Sequence, residues 1–250
     1  MTAQAGTVLI TGGSRGIGAA TVRLAARAGH SVCFTYLSRA DAAQTLLDEV
    51  RQAGGQAHAV QAEVRNSVDA DRLLQSLPAD FPPLAGLVNN VGITGPLGPF
   101  LQTTEATMRE VLEVNVLGAM LLAQAVLRHW QAKPAPGRSI VNVSSIAATL
   151  GAPGEYVHYA ASKAALEAFT VGLAKEVAPQ GVRVNCVSPG TTLTEIHAAA
   201  GEPGRPQRVA ARIPMGRAGE ADEIAQAIVW LLSPQASYAT GSVLKVAGGL

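Results

Sequence analysis

Thr7-Val8-Leu9-Ile10-Thr11-Gly12-Gly13-Ser14-Arg15-Gly16-Ile17-Gly18 runs a short β-branched stretch into a glycine-spaced turn, and the residues that follow are good helix formers. A strand feeding a helix through so little chain needs glycine for the tight turn alone. Glycines at 12, 16 and 18 also let backbone approach an anionic group at the helix start, where unpaired amides stabilise negative charge. The turn's place directly after the first strand favours the second reading.

Outward from this stretch, apolar runs alternate with amphipathic ones. Strands are expected at 7–10, 31–36, 58–62, 84–89, 139–144, 182–187 and 242–246, and helices at 17–28, 40–53, 68–77, 104–130, 158–178 and 221–232. Repetition of strand, helix, strand predicts a parallel α/β sheet of about seven strands with helices on both faces, a doubly wound, Rossmann-type architecture. A chain of 250 residues fits one such domain, 1–250. Segment 191–214 breaks the rhythm with Gly201, Pro203, Gly204, Pro206 and Pro214, and is expected to be a mobile substrate-binding lid.

Composition narrows the function classes. A net charge of +1 with scattered Lys and Arg gives no field for nucleic acid. No apolar run approaches the roughly 18 residues of a membrane span; stretch 116–127, interrupted by Gln124, reads as a core or interface helix, and a cytoplasmic protein is expected. Charged residues make up only 15% of the chain, which points to apolar surface covered by partner subunits. Cys33 and Cys186 lie in strand-like runs and read as buried thiols. His30, His58, His129, His158 and His197 lack metal-ligand spacing, so no metal is expected and surface or substrate-rim positions are.

Tyr159-Ala160-Ala161-Ser162-Lys163 places tyrosine and lysine at i and i+4, on one helix face. An ammonium beside a phenol favours phenolate and makes the tyrosine a usable acid/base. Tyr156 is a rival that lacks a lysine four residues on. Two serines, Ser144 and Ser145, end the preceding strand; side chains alternate there, so one of them faces the substrate. At the end of the second strand no carboxylate stands where one would bond a ribose 2′-hydroxyl, whereas Arg15, Ser38 and Arg39 suit a 2′-phosphate. NADP is therefore favoured, with NAD as the alternative.

Taken together, the Thr-Gly-x-x-x-Gly-x-Gly loop, Asn89-Asn90-Val91-Gly92, Asn115, Ser145 and Tyr159-x-x-x-Lys163 resemble the short-chain dehydrogenase/reductase family over essentially the whole chain, closest to its 3-oxoacyl-carrier-protein reductase-like and glucose dehydrogenase-like members. The resemblance implies a catalytic tetrad of Asn115, Ser145, Tyr159 and Lys163. It implies cofactor contacts from Gly12, Ser14, Arg15, Gly16, Ile17, Gly18, Ser38, Arg39, Glu63, Val64, Asn90, Val91, Gly92, Tyr159, Lys163, Pro189, Gly190, Thr192 and Thr194. It departs from the family pattern at Val91, where a small alanine is usual and crowding is expected. It also implies a homotetramer, with a homodimer as the alternative, built on the apolar faces around 116–130 and 166–178. The function it implies is reversible NADP(H)-dependent reduction of a ketone or aldehyde. The alternatives are an NAD-dependent alcohol or sugar dehydrogenase and, from another class, a non-catalytic NADP-sensing binding protein.

Overall fold

The computed structural model describes residues 6–63 and 65–250. Strands β1 (Thr7–Ile10), β2 (Ser31–Tyr36) and β3 (Ala57–Gln61) alternate with helices α1 (Gly16–Arg27), α2 (Ala40–Gln52) and α3 (Ser67–Gln75). After β4 (Leu84–Asn89) come α4 (Glu105–Leu112), a π-helical turn (Glu113–Leu117) and α5 (Gly118–Ala132), then β5 (Ser139–Val143), the short α6 (Ala147–Leu150) and α7 (Val157–Val177). Strand β6 (Arg183–Pro189), α8 (Ile196–Ala199), α9 (Arg205–Val209), α10 (Ala221–Leu232) and β7 (Val243–Val246) complete the chain.

The seven strands form one all-parallel sheet in the order β3-β2-β1-β4-β5-β6-β7. The single doubly wound domain expected from the alternation is therefore present. Its winding reverses between β1 and β4, and the connections leaving the carboxyl ends of those paired strands run to opposite faces of the sheet, which opens a crevice between them. Strand interiors are mostly apolar, since both faces are covered, and polar exceptions such as Asn142 and Asn185 are buried and hydrogen-bonded. One face buries Val22, Phe34, Leu46, Ile224 and Ile228 from α1, β2, α2 and α10; the other buries Leu73, Leu122, Val126 and Trp130 from α3 and α5.

Helix 104–130 of the sequence reading is a rod spanning Glu105–Ala132, long and apolar enough by length and composition to cross a membrane, which corrects the shorter apolar run expected. It serves as a core helix here: Trp130 is buried and its indole N–H donates to the Leu84 carbonyl at 2.6 Å. The segment 191–214 is also more ordered than the loop expected. Gly201, Pro203 and Gly204 separate α8 from α9, Pro206 sits in the first turn of α9, and the segment is tied down by the Thr192–Gly219 bridge and by Leu97 donating to the Ala200 carbonyl at 3.1 Å.

Candidate active site

The crevice at the reversal is a cleft of about 850 Å³. Of the residues singled out from sequence, all but Asn115 and Val64 line it; Val64 lies outside the described residues.

At one end the glycine loop lies over β1. Gly12 and Gly16 take φ of +64° and +51°, a region side chains disfavour. A Cβ on Gly18 would stand 2.2 Å from the Gly12 carbonyl oxygen and 2.7 Å from the Asn90 amide, so only glycine lets α1 begin this close to the loop. The loop is stapled from below: Gly12 donates to the Thr35 hydroxyl at 3.0 Å and the Asn90 amide donates to the Thr11 and Gly12 carbonyls at 2.9 and 3.2 Å. Thr11 accepts from the backbone of both Asn90 and Val91. Thr11 and Thr35 were not singled out from sequence; Thr11 sits inside the quoted stretch, while Thr35 is recognisable only from the contact. Val91 does not crowd the site, because its Cγ2 occupies the space a side chain at Gly12 would need.

This cradle fits a dinucleotide pyrophosphate, with bare backbone at the helix start and no carboxylate within ion-pairing distance of Arg15 among the described residues. At the β2 end, Leu37, Ser38 and Arg39 line the cleft. Arg39 forks onto Asp41 at 3.0 and 3.1 Å, an exposed pair that raises the guanidinium pKa and lowers the carboxylate's. Glu63, at the cleft edge, pairs with Arg65, which also reaches Glu110 at 3.3 Å.

At the other end, α7 presents Tyr159 and Lys163, both buried. The Lys163 ammonium stands 5.7 Å from the Tyr159 ring centroid and donates to the Val143 carbonyl at 2.8 Å. Burial lowers its pKa from 10.5 to about 8. A Cβ on Gly92 would come within 2.9 Å of Nζ, so glycine there leaves the ammonium its space. Only one of its three donors has a protein acceptor among the described residues, a donor surplus suited to sugar hydroxyls. Burial raises the Tyr159 pKa, with the neighbouring Ser145 hydroxyl and the Arg205 cation pulling it down.

The structure separates the two serines. Ser144 is turned into the protein, bonding the Lys163 carbonyl at 3.1 Å and the Glu167 carboxylate at 2.8 Å, while Ser145 stands beside Tyr159 and accepts from the Ala147 amide at 3.2 Å. Tyr156 packs edge-on against Tyr159, ring centroids 5.2 Å apart, and burial raises its pKa further above the usual tyrosine range. Asn115 lies behind the cleft wall, in the π-helical turn. Its amide exchanges bonds with the Ile93 backbone at 2.8 and 2.9 Å and donates to Ser162 at 2.9 Å, so it ties the β4 loop to α7. A second buried chain, Asn89 to Asn142 at 2.9 Å and Asn142 to Thr170 at 2.8 Å, holds α7 on the sheet.

One histidine expectation is corrected: His158 is buried away from the cleft, its ring bonding the Thr94 carbonyl at 2.8 Å, whereas His197 lines the cleft as a substrate-rim position would, its largely buried ring bonding the Thr192 carbonyl at 2.9 Å. Cys33 and Cys186 are buried free thiols whose pKa burial lifts to about 12. At the end of β6, Gly190 packs so close to Ala247 that a Cβ would come within 2.7 Å of its Cα, and Pro189, Thr192 and Thr194 follow along the cleft wall.

A family model described as enoyl-(acyl carrier protein) reductase matches residues 12–250. The chain is 36% identical to a 3-oxoacyl-[acyl-carrier-protein] reductase of Synechocystis, over 100% of this chain and 98% of that protein. It superposes on a short-chain dehydrogenase from Burkholderia cenocepacia, solved in complex with NADP, with a TM-score of 0.89 and 33% identity over 98% of each chain. This chain is a short-chain dehydrogenase/reductase. An uncharacterized oxidoreductase of Escherichia coli, YgfF, is 48% identical over 96% of this chain and 98% of its own. As a member of the short-chain dehydrogenase/reductase family, the protein is an NAD(P)-dependent oxidoreductase.

Proposed function

We propose that this short-chain dehydrogenase/reductase catalyses reversible, NADP(H)-dependent reduction of a ketone or aldehyde, with Tyr159 as proton donor. The observation that carries this reading is that a buried tyrosine and lysine on one helix face open, with Ser145, onto the cleft that also holds the glycine cradle.

Bound NADPH supplies the hydride. The chain supplies the rest. Burial keeps Tyr159 as the neutral phenol at neutral pH, the form that donates a proton to the carbonyl oxygen as charge builds there. Ser145 donates a hydrogen bond to the same oxygen. Lys163 is still an ammonium at neutral pH and sits beside the phenolate that forms. Its spare donors would hold the nicotinamide ribose. Asn115 positions α7 and the β4 loop through Ile93 and Ser162. Oxidation uses the same groups in reverse.

NADP is favoured because no acid ends β2 and because Arg15 faces the cleft without a carboxylate partner among the described residues. NAD is the second reading, supported by the fork of Arg39 onto Asp41, which occupies one of the two arginines. The segment 191–214 covers the substrate, and Ile196, Val209 and Ile213 make that wall apolar. Leu112 and Leu117, both close to half exposed on the α4–α5 rod, are taken as part of a subunit interface in a cytoplasmic homotetramer.

The test is NADPH consumption, followed by absorbance, against small ketones, quinones, sugars and acetoacetyl thioesters. Tyr159→Phe is expected to lower turnover on the responding substrate by about 10²–10⁴-fold with NADPH binding nearly intact. Unchanged turnover would overturn the assignment.

A further inference from the structure

Four charged groups cluster where the 191–214 segment meets the catalytic helix. Arg205, opening α9, donates to one oxygen of Glu155 from Nε at 3.1 Å and Nη2 at 2.5 Å. Arg208 donates to the other oxygen at 2.8 Å and also pairs with Glu202. Glu155 lies two residues before α7, fifty residues away in sequence. Most exposed ion pairs contribute little, but here the Arg205 and Glu155 side chains are only 12% and 20% exposed. Burial opposes the ionisation of Glu155, and the two arginines overcome it, so its pKa is lowered.

Arg205 does more than neutralise Glu155. Its guanidinium lies 5.3 Å over the Tyr156 ring, which is where a cation is attracted to an aromatic face. Tyr156 in turn presents its ring edge-on to Tyr159, at 84° and 5.2 Å. Glu155, Arg205, Tyr156 and Tyr159 thus form a contact chain from the cleft-covering segment to the proton donor, and Tyr156 and Arg205 both line the cleft.

We propose that Arg205 is a positioning residue of the reaction: seated on Glu155 and stacked on Tyr156, it places a cation one aromatic ring away from the proton-transferring phenol only while the 191–214 segment is closed on the catalytic helix. This rests on the reading of Tyr159 as the acid/base. The charged and titratable groups around that phenol are Lys163 on its own helix, Glu155 and Tyr156 just before it, Arg205 and Arg208 from α9, and Glu202 and His197 from the same segment. Lys163 belongs to the catalytic helix and would stay in place were the segment to lift, whereas Arg205, on α9, would leave with it. Closure would therefore strengthen Tyr159 as an acid at the moment the substrate is covered, and opening would weaken it. Proton delivery to an uncovered site is disfavoured by the same device.

The experiment reads the phenol directly, without turnover. The chain has four tyrosines, and in full-length protein labelled with 3-fluorotyrosine, whose phenol titrates below that of tyrosine, each gives its own ¹⁹F signal; Tyr159→Phe identifies the one of interest. Arg205→Met is expected to raise the Tyr159 midpoint by roughly half to one pH unit, the size expected of a unit charge acting across one aromatic ring in a partly buried setting. Arg205→Lys, which keeps the charge, is expected to restore most of the shift. Arg205→Gln keeps a donor for Glu155 and carries the same expectation as Met should the methionine variant fail to fold. An unmoved midpoint in the folded neutral variants overturns the proposal, as does a lysine variant that shifts as far as methionine, since packing rather than charge would then be responsible. The assignment of Tyr159 itself fails by a different result, retention of turnover in Tyr159→Phe.

Discussion

Lys163→Met is expected to make the protein more stable and inactive. The wild-type ammonium is 2% exposed, and burial lowers its pKa from 10.5 to about 8. Below pH 8 the folded and unfolded chains both carry this charge, and the folded state bears the whole desolvation penalty. From pH 8 to 10.5 the folded chain releases the proton while the unfolded chain retains it, so this group's contribution rises with pH until the penalty is gone. A difference of about 2.5 units corresponds to about 3 kcal/mol. Methionine removes the charge at similar length and loses the bond to the Val143 carbonyl, worth about 1 kcal/mol. The net expectation at pH 7 is about 2 kcal/mol of stabilisation, or roughly 4–8 °C in Tm for a chain of this size. Thermal and urea unfolding of both proteins should be compared from pH 7 to 10.5 at one protein concentration, because subunit association also shifts the midpoint. The advantage of the variant should shrink as pH rises. A variant less stable than wild type at pH 7, or a difference flat across that range, would refute the reasoning.

The adjacent serines should part ways: Ser145→Ala is expected to lower turnover by about 10²-fold while costing at most about 1 kcal/mol through its long bond to the Ala147 amide, whereas Ser144→Ala, which strips a bond from Glu167, should cost about 1–2 kcal/mol in urea unfolding and keep turnover. Gly18→Ala should abolish NADPH binding, measured by fluorescence titration, because its methyl would collide with the Gly12 carbonyl at 2.2 Å. Arg39→Ala should reduce the preference for NADPH over NADH by about tenfold in kcat/KM if the arginine trades Asp41 for the 2′-phosphate on binding, and an unchanged ratio would leave the phosphate to Arg15 alone.

What was legible in the sequence is what local chemistry dictates. The β1 turn, the alternation of runs and the Tyr159–Lys163 spacing all follow from short-range pattern, and the structure brings them to one cleft. Contacts between distant segments were not legible. Local pattern left Ser144 and Ser145 open and only the family resemblance pointed to Ser145; the physical reason lies with Glu167 and the Lys163 carbonyl, which hold Ser144 from a helix packed across β5. The burial of His158 is decided by a carbonyl sixty-four residues away. The Gly- and Pro-rich 191–214 read as a loop because its helices span only four and five residues, too short for periodicity to register. The ion pair of Glu155 with Arg205 leaves no local trace, since each residue alone reads as a solvated charge.

The π-helical turn at Glu113–Leu117 has one more consequence. Each α-helical residue advances the helix by about 100°, so a turn holding one extra residue offsets everything after it from everything before it. The polar stripe of α4 and the apolar stripe of α5 are thus phased separately, and that offset aims Leu122, Val126 and Trp130 at the sheet while Asn115 points at Ile93. At this point in the chain residue number matters as much as residue identity: deleting one of the five would let the rod relax to a plain α-helix with α5 still facing the sheet, whereas straightening the turn with all five kept would rotate the core-facing side of α5 by about 100°.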